Sequence, residues 1–143
     1  MMTRNISLAE FVRSGAFGPL AINTSEEGIR NLLGEPDDVG RGFGKLVIHR
    51  YGEGRLEVST LKGQVVLIAF YPSRGIELRG DVRVVDDIPS AARGSADAFV
   101  RWLEQEELLF RADTEDGMLH RLCVQGGATA TFADGHLDSV QVS

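Results

Sequence analysis

The spacing of apolar positions changes along this chain, and each change marks a predicted element. Apolar residues recur every three to four positions after Ser7, and again after Thr24 and Ser25, which is typical of amphipathic helices. Ser7 can cap the first helix, and either Thr24 or Ser25 can cap the second. Gly15 and Gly34 can end them. The pattern therefore predicts a short helix between each cap and the glycine that follows it.

After Gly34 the apolar positions alternate with a period of two, which indicates an antiparallel β-meander. Its turns are expected at Gly52-Glu53-Gly54 and at Lys62-Gly63, because hairpin turns need residues that tolerate a positive φ. The predicted strands are Lys45–Tyr51, Arg55–Thr60, Gln64–Tyr71 and either Ile76–Leu78 or Val82–Val85.

The second half of the chain has the same order of elements. A helix is expected from Ser95 or Ala96 to about Glu107, after a linker over residues 86–90. Gly126-Gly127 and Asp134-Gly135 supply hairpin turns. The strands predicted after this helix are Leu108–Arg111, Met118–Val124, Ala128–Phe132 and Leu137–Val142.

Matching positions suggest that the two halves are a tandem repeat. His49-Arg50 has the same letters as His120-Arg121, 71 positions later, and two turn glycines recur 72 positions apart. Self-similarity of this size bears directly on the fold. The expected class is α+β: two repeats of short helices followed by an antiparallel meander, with the helices on one face of the sheet. Residues 1–85 would form the first repeat and residues 86–143 the second, packed as one unit.

The charge of the chain narrows the range of partners. It has 143 residues and a formal net charge of −6. Nucleic-acid binders usually carry a basic stripe, and none is visible. Basic residues are scattered singly along the sequence, so neither nucleic acid nor a membrane surface is expected to bind. No apolar run is long enough for a membrane span or a signal peptide. We expect a cytoplasmic protein whose acidity favours a basic protein partner.

The sequence contains no complete set of catalytic residues in a known motif. The chain has no Gly-x-Ser-x-Gly elbow and no phosphate-binding G-x-x-x-x-G-K-[ST] loop. His49, His120 and His136 lack the paired spacing that metal sites use. The single cysteine, Cys123, lies in an apolar run and is expected to be a small buried residue in a reducing compartment. We therefore expect no catalytic residue, metal or cofactor.

One polar stripe on the predicted sheet is a candidate partner-binding surface. A three-residue loop at Gly52-Glu53-Gly54 would put Tyr51 opposite Arg55 and His49 opposite Glu57. A two-residue loop would exchange the faces. Mixed aromatic and arginine side chains are typical of interface anchors. The candidate partner-binding residues are His49, Tyr51, Arg55, Glu57 and Ser59.

The segment TSEEGIRNLLGEPDD, residues 24–38, resembles the "S/T-x-E-E-[VI]-x-x-L-L-G-x-P" segment of the β-lactamase-inhibitor-protein-like superfamily. That superfamily includes small outer-membrane assembly lipoproteins of the SmpA/OmlA type. The resemblance covers roughly residues 18–71 and reaches the second half only through the repeat. It implies a helix-plus-meander fold, because the matching residues are a cap, a helix stripe and turn residues.

Three functions remain open from the sequence. The first is a non-catalytic protein-binding module, in its most specific form an immunity or antitoxin-like inhibitor acting through a sheet face or acidic loops. The second is a small hydrolase or transferase in which His49 or His120 works beside Glu57 or an acidic loop. The third is a ligand-binding or structural homodimer whose doubly apolar strand, residues 65–70, is covered by a second subunit. Both a monomer and a homodimer therefore remain possible.

Overall fold

In a computed structural model that describes residues 4–79 and 81–143, the predicted helices form behind their serine caps. α1 (Leu8–Ser14) begins where the Ser7 hydroxyl accepts a hydrogen bond from the backbone of Glu10, and α2 (Glu26–Leu33) begins behind Ser25. After α3 (Ser90–Arg93), α4 (Ala96–Gln105) begins behind Ser95. The capping residues read from the sequence are thereby confirmed.

Eleven strands are assigned in the described chain. Nine of them correspond to predicted strands: seven to the strands of the two meanders and two to the alternatives for a fourth strand. The strands are β1 (Arg4–Ser7), β2 (Asp38–Arg41), β3 (Val47–Tyr51), β4 (Leu56–Leu61), β5 (Gln64–Phe70), β6 (Glu77–Arg79), β7 (Val82–Val85), β8 (Phe110–Glu115), β9 (Met118–Val124), β10 (Thr129–Ala133) and β11 (His136–Val142). β8 starts two residues later than predicted and is longer. β1 and β2 were not predicted.

Eight of these strands form one antiparallel sheet in the order β2-β3-β4-β5-β11-β10-β9-β8. The centre of the sheet is the pairing of β5 with β11, in which Phe70 lies opposite Val140. On either side of this pair, three strands follow in reverse chain order. β1, β7 and β6 form a separate small sheet, with β1 parallel to β7. The fourth strand of the first meander is thus β2, and neither of the two predicted segments occupies that place.

Apolar side chains of the helices and of both sheets meet in one core, so the molecule is α+β with a large antiparallel sheet. Phe17 contacts Phe11 edge to face, with ring centroids 5.3 Å apart, and contacts Phe70 of β5 at 5.8 Å. In the second half, Phe99 of α4 contacts Phe132 of β10 at 5.4 Å. Trp102 lies beside Phe99 and is buried in the same core.

The segment predicted as a linker, residues 86–90, is tied to the rest of the fold. Asp87 accepts hydrogen bonds from the Ser7 hydroxyl and from the backbone of Ala9, 2.8 Å away, at the start of α1. A carboxylate is favoured there by the dipole of the helix. Ile88 is buried in the core. This segment therefore holds the N-terminal helix in place.

Candidate functional site

The hairpin between β3 and β4 has a different register from the one predicted. Tyr51 lies opposite Leu56 and His49 opposite Val58, so the loop between the strands has four residues, Gly52–Arg55. The extra residue moves His49 and Tyr51 to the face that carries Leu56 and Val58, which is the core face. The predicted face shared by His49, Tyr51, Arg55, Glu57 and Ser59 is therefore wrong.

Contacts with residues 74–77 explain why this loop takes a fourth residue. The Arg55 guanidinium donates to the carbonyls of Arg74, 2.6 Å away, and Glu77, 2.8 Å away. Gly52 has φ +60°, and a Cβ at this position would lie 3.0 Å from the Glu77 carbonyl oxygen. A larger residue would meet that backbone. The loop is thus fitted to a segment 19 to 22 residues away from Arg55, and the local spacing of apolar residues does not reveal such a contact.

His49 and Tyr51 are buried beneath α2. The His49 Nε2 atom lies 3.2 Å from the Thr60 hydroxyl and 3.9 Å from a carboxylate oxygen of Glu26. Burial lowers the pKa of His49 below its usual value, while Glu26 acts in the opposite direction. The Tyr51 hydroxyl donates to the carbonyl of Gly34, which ends α2. Both side chains therefore hold α2 on the sheet and lie away from solvent.

The opposite face of the large sheet, named the outer face here, carries a ladder of charges across β2, β3 and β4. Arg50 donates to Asp38 at 2.9 Å and lies 3.3 Å from Glu57. The guanidinium crosses Gly40, where a Cβ would lie only 2.6 Å from an Arg50 nitrogen. Two carboxylates thus hold one half-exposed arginine flat on the sheet.

Tyr71 extends this ladder toward the centre of the sheet. Burial, followed by the charge of the neighbouring Glu57 carboxylate, raises the pKa of the Tyr71 phenol. The Arg74 guanidinium lies over the Tyr71 ring, 4.1 Å from its centroid, a distance at which the cation and the ring attract. Together, Arg50, Glu57, Tyr71 and Arg74 form what we name the Tyr71 cluster.

Aliphatic side chains lie beside the Tyr71 cluster on the outer face. Ile48 and Leu67 are half-buried, on either side of Ser59 in the sheet register. Leu46 is half-buried and Leu61 is 40% exposed, at the end of the same strands. Alternation along the strands places all four on the outer face. This half of the outer face therefore combines aromatic, arginine and aliphatic surface.

The far end of the outer face, on β8 and β9, has its own charged group. Asp113 lies 3.4 Å from Arg111 and 3.5 Å from Arg121. Cys123 lies 3.7 Å from Arg111 and is only partly buried. The expectation that Cys123 is a buried core residue is therefore wrong, because its strand faces the core with Leu122 and Val124 instead.

The histidines do not converge on one site. His49 and Glu57 are on opposite faces, and five strand spacings, roughly 24 Å, separate β3 from β9. His120 lies 3.6 Å from Glu115, and both line a surface depression at the edge of the sheet. Among residues 4–79 and 81–143, no group of three or more His, Cys, Asp or Glu side chains could hold a metal ion.

Two of the five candidate residues, Glu57 and Ser59, lie on the outer face, where Glu57 is half-buried and Ser59 is buried. Arg55 lies at its border and binds backbone carbonyls. The prediction missed Arg50 and Tyr71. Arg50 is next to His49 in the strand and so lies on the opposite face. A predicted loop of four residues would therefore have placed Arg50 on the outer face. Tyr71 is the last residue of the predicted strand Gln64–Tyr71, and its position there gives no separate signal of a site.

Comparisons with protein-family models, curated proteins and solved structures find no match to this chain. Within the described residues, no helix is long and apolar enough to cross a membrane. The site must therefore be interpreted from its own geometry.

Proposed function

We propose that this protein is a non-catalytic protein-binding module whose partner covers the outer face of the large sheet. The observation that carries the proposal is the Tyr71 cluster, a partly exposed group of Tyr71, Arg50, Arg74 and Glu57 on the face opposite the core. Tyrosine and arginine are enriched at the energetic centres of protein interfaces. Because Arg74 already packs on the Tyr71 ring and two carboxylates hold Arg50, a partner would order few additional side chains on binding.

The proposed architecture behind this face is a tandem repeat of two helix-plus-meander units, residues 1–85 and 86–143. In support, α2 precedes β2–β5 just as α4 precedes β8–β11, and the sheet order is symmetric about the β5–β11 pair. His49 and His120, which match in the sequence, lie on equivalent strands, β3 and β9. This arrangement is also what the resemblance to the β-lactamase-inhibitor-protein-like superfamily implies, so membership of that superfamily remains part of the proposal.

The most specific form of the proposal is an immunity or antitoxin-like inhibitor that acts in the cytoplasm on a basic protein. Its support is the net charge of −6 and a single cysteine without a disulfide partner. An acidic protein attracts a basic partner at long range and accelerates their association. Reducing compartments are where proteins without disulfides are expected.

The two alternatives receive different support. A hydrolase or transferase needs a base beside a second polar group in a cleft; the exposed His120–Glu115 pair is the arrangement closest to this. A homodimer is favoured by the aliphatic side chains on the outer face, since Leu67 and Ile48 are half-buried and Leu61 is 40% exposed. In that case the second copy would itself be the partner of this face.

The experiment is affinity capture from the native host with three tagged forms: the natural chain, a Tyr71→Ala/Arg50→Ala double variant, and Arg101→Ala. Arg101 is exposed on α4 and serves as a matched control. We expect one protein in stoichiometric amount with the natural chain and with Arg101→Ala. Its affinity, measured with the purified partner, should fall at least about tenfold in the double variant, because removal of an interface anchor commonly costs more than 1–2 kcal/mol.

A stoichiometric partner that binds the double variant as tightly as the natural chain would overturn the proposal. So would the lack of any such partner. Sedimentation equilibrium on the natural chain separates the homodimer: a dimer that Leu67→Glu dissociates assigns the outer face to a second copy of this chain.

A further inference from the structure

The end of the large sheet where β2 turns into β3 carries a fully exposed aromatic residue. Phe43 is 100% exposed. It stands between Gly42 and Gly44, and Gly44 has a φ of +62° with no atom within 4 Å of where a Cβ would be. This turn is therefore convex and projects into solvent, with the phenyl ring at its tip.

Three cations lie at the same end of the sheet. Lys45 belongs to this turn, Arg41 begins it, and Lys62 lies in the neighbouring β4–β5 turn, which the pairing of Val47 with Thr60 brings alongside. All three are exposed. Within residues 4–79 and 81–143, none of the three enters an ion pair. Lys45 and Lys62 are also the only lysines in the sequence.

Two carboxylates on the adjoining elements, Asp38 and Glu26, are engaged elsewhere. Asp38 accepts from Arg50 on the outer face, and Glu26 lies against Thr60 and His49 on the core side. The positive charge at this end is therefore not neutralised by these two groups, although the chain as a whole is acidic.

We propose that this hairpin tip, residues 41–46 together with Leu61 and Lys62, docks on the surface of an anionic lipid bilayer. Phe43 would enter the interfacial layer, with Leu46 and Leu61 behind it, while the three cations meet lipid phosphates. The expectation that no membrane binds rested on basic residues being scattered along the sequence. Folding brings these three together.

The shape of the tip favours a bilayer over a protein pocket. A stable protein interface needs about 800 Å² and 20–30 residues on each side, and a projecting turn of about eight residues offers much less. A lipid interface accepts one aromatic ring and a few cations without a complementary surface. Each cation near an anionic surface raises partitioning about fivefold, so the contact should be weak and reversible.

The test is co-sedimentation with vesicles of phosphatidylcholine plus phosphatidylserine, compared with phosphatidylcholine alone. We expect binding to the anionic vesicles only, weakened by salt. Phe43→Ser should lower the partition constant about tenfold, and Lys45→Gln with Lys62→Gln about 25-fold. Leu109→Ser and Arg101→Gln remove an exposed leucine and an exposed arginine elsewhere and should change nothing.

A second readout follows the tip itself. Phe43→Trp adds an indole at the tip, while the natural Trp102 is buried and supplies a constant background. Its emission should shift to the blue with anionic vesicles and stay unchanged with neutral ones. The proposal is overturned if the natural chain ignores anionic vesicles at low salt, or if the tip variants bind them as well as it does. It is equally overturned if these variants instead lose a purified protein partner.

Discussion

The two faces of the large sheet are built from the same strands but contain different kinds of contact. On β5, Ile68 and Phe70 are buried in the aromatic core, whereas Leu67 points to the outer face and is only half-buried. On β3, Tyr51 is fully buried and the neighbouring Arg50 lies half-exposed between two carboxylates. One face therefore buries the aromatic core, whereas the other combines half-buried aliphatic side chains with paired charges. We expect the free energy of folding to come mainly from the core face.

The largest expected loss of stability comes from comparing one residue on each face of the same strand, β5. Phe70→Ala should lower the free energy of unfolding by about 3–5 kcal/mol, because it removes a ring that packs against Phe17 and leaves a cavity. Leu67→Ala, on the outer face, should cost only about 1 kcal/mol. Urea denaturation of both variants measures the difference. Equal losses would show that the outer face is a second core, covered in solution.

A smaller effect is expected from single hydroxyl groups. Tyr51→Phe leaves the carbonyl of Gly34 without its buried donor and should cost about 1–2 kcal/mol. Tyr71→Phe removes a hydroxyl from the partly exposed outer face, where water can replace it, and should cost less. The comparison fails if Tyr71→Phe proves the more destabilising of the two in the same denaturation experiment.

The same contrast shows how far sequence reasoning reaches in this molecule. Helix caps follow from local chemistry, because Ser7, Ser25 and Ser95 act within three residues of their own positions. The meander strands other than β2 follow from the alternation of apolar positions. The register of β3 does not, because Arg55 is held by carbonyls 19 and 22 residues away. The number of residues in that loop, three or four, sets whether His49 or Arg50 lies on the outer face. The predicted site is therefore wrong because a tertiary contact adds a fourth residue to the loop.

β2 was missed for a related reason. Its sequence, Asp38-Val39-Gly40-Arg41, has a single apolar residue and no period of two that could be recognised. It is a strand because β3 pairs with it and because Arg50 lies across Gly40 to reach Asp38. Polar edge strands of this kind are common in proteins that avoid edge-to-edge association. Such a strand is recognised by its pairing with a neighbour, here β3, and not by its own sequence pattern.

A pH-dependent effect should belong to the core face alone. Burial lowers the pKa of His49 in the folded protein below the unfolded value of 6.5, so the unfolded chain binds the proton more readily. Stability is therefore fully present above the unfolded pKa and is lost as the pH falls below it. The nearby Glu26 carboxylate offsets part of the burial, so we expect a loss smaller than that of Tyr51→Phe.

The measurement is the free energy of unfolding between about pH 7.5 and 5.5, a range that spans the titration of an ordinary histidine. His49→Gln, which keeps a polar group near Thr60, should flatten the profile over this range. His120→Gln, at a side chain 42% exposed, is the matched control and should leave the slope unchanged. The prediction is wrong if His120→Gln, and not His49→Gln, flattens the pH dependence of the free energy of unfolding.

The smallest effect on stability is expected where the effect on function should be largest. Arg50→Gln breaks contacts with Asp38 and Glu57, but both lie in partly exposed surroundings, where ion pairs contribute about 0–1 kcal/mol and are weakened by salt. The midpoint of denaturation should therefore hardly shift in Arg50→Gln. The shift should be smaller still at high salt, because salt screens the ion pairs. A loss above about 2 kcal/mol would mean that this ladder supports the sheet. If the midpoint holds while partner capture falls, Arg50 acts on the partner and not on the fold, since an unfolded population cannot then explain the lost binding.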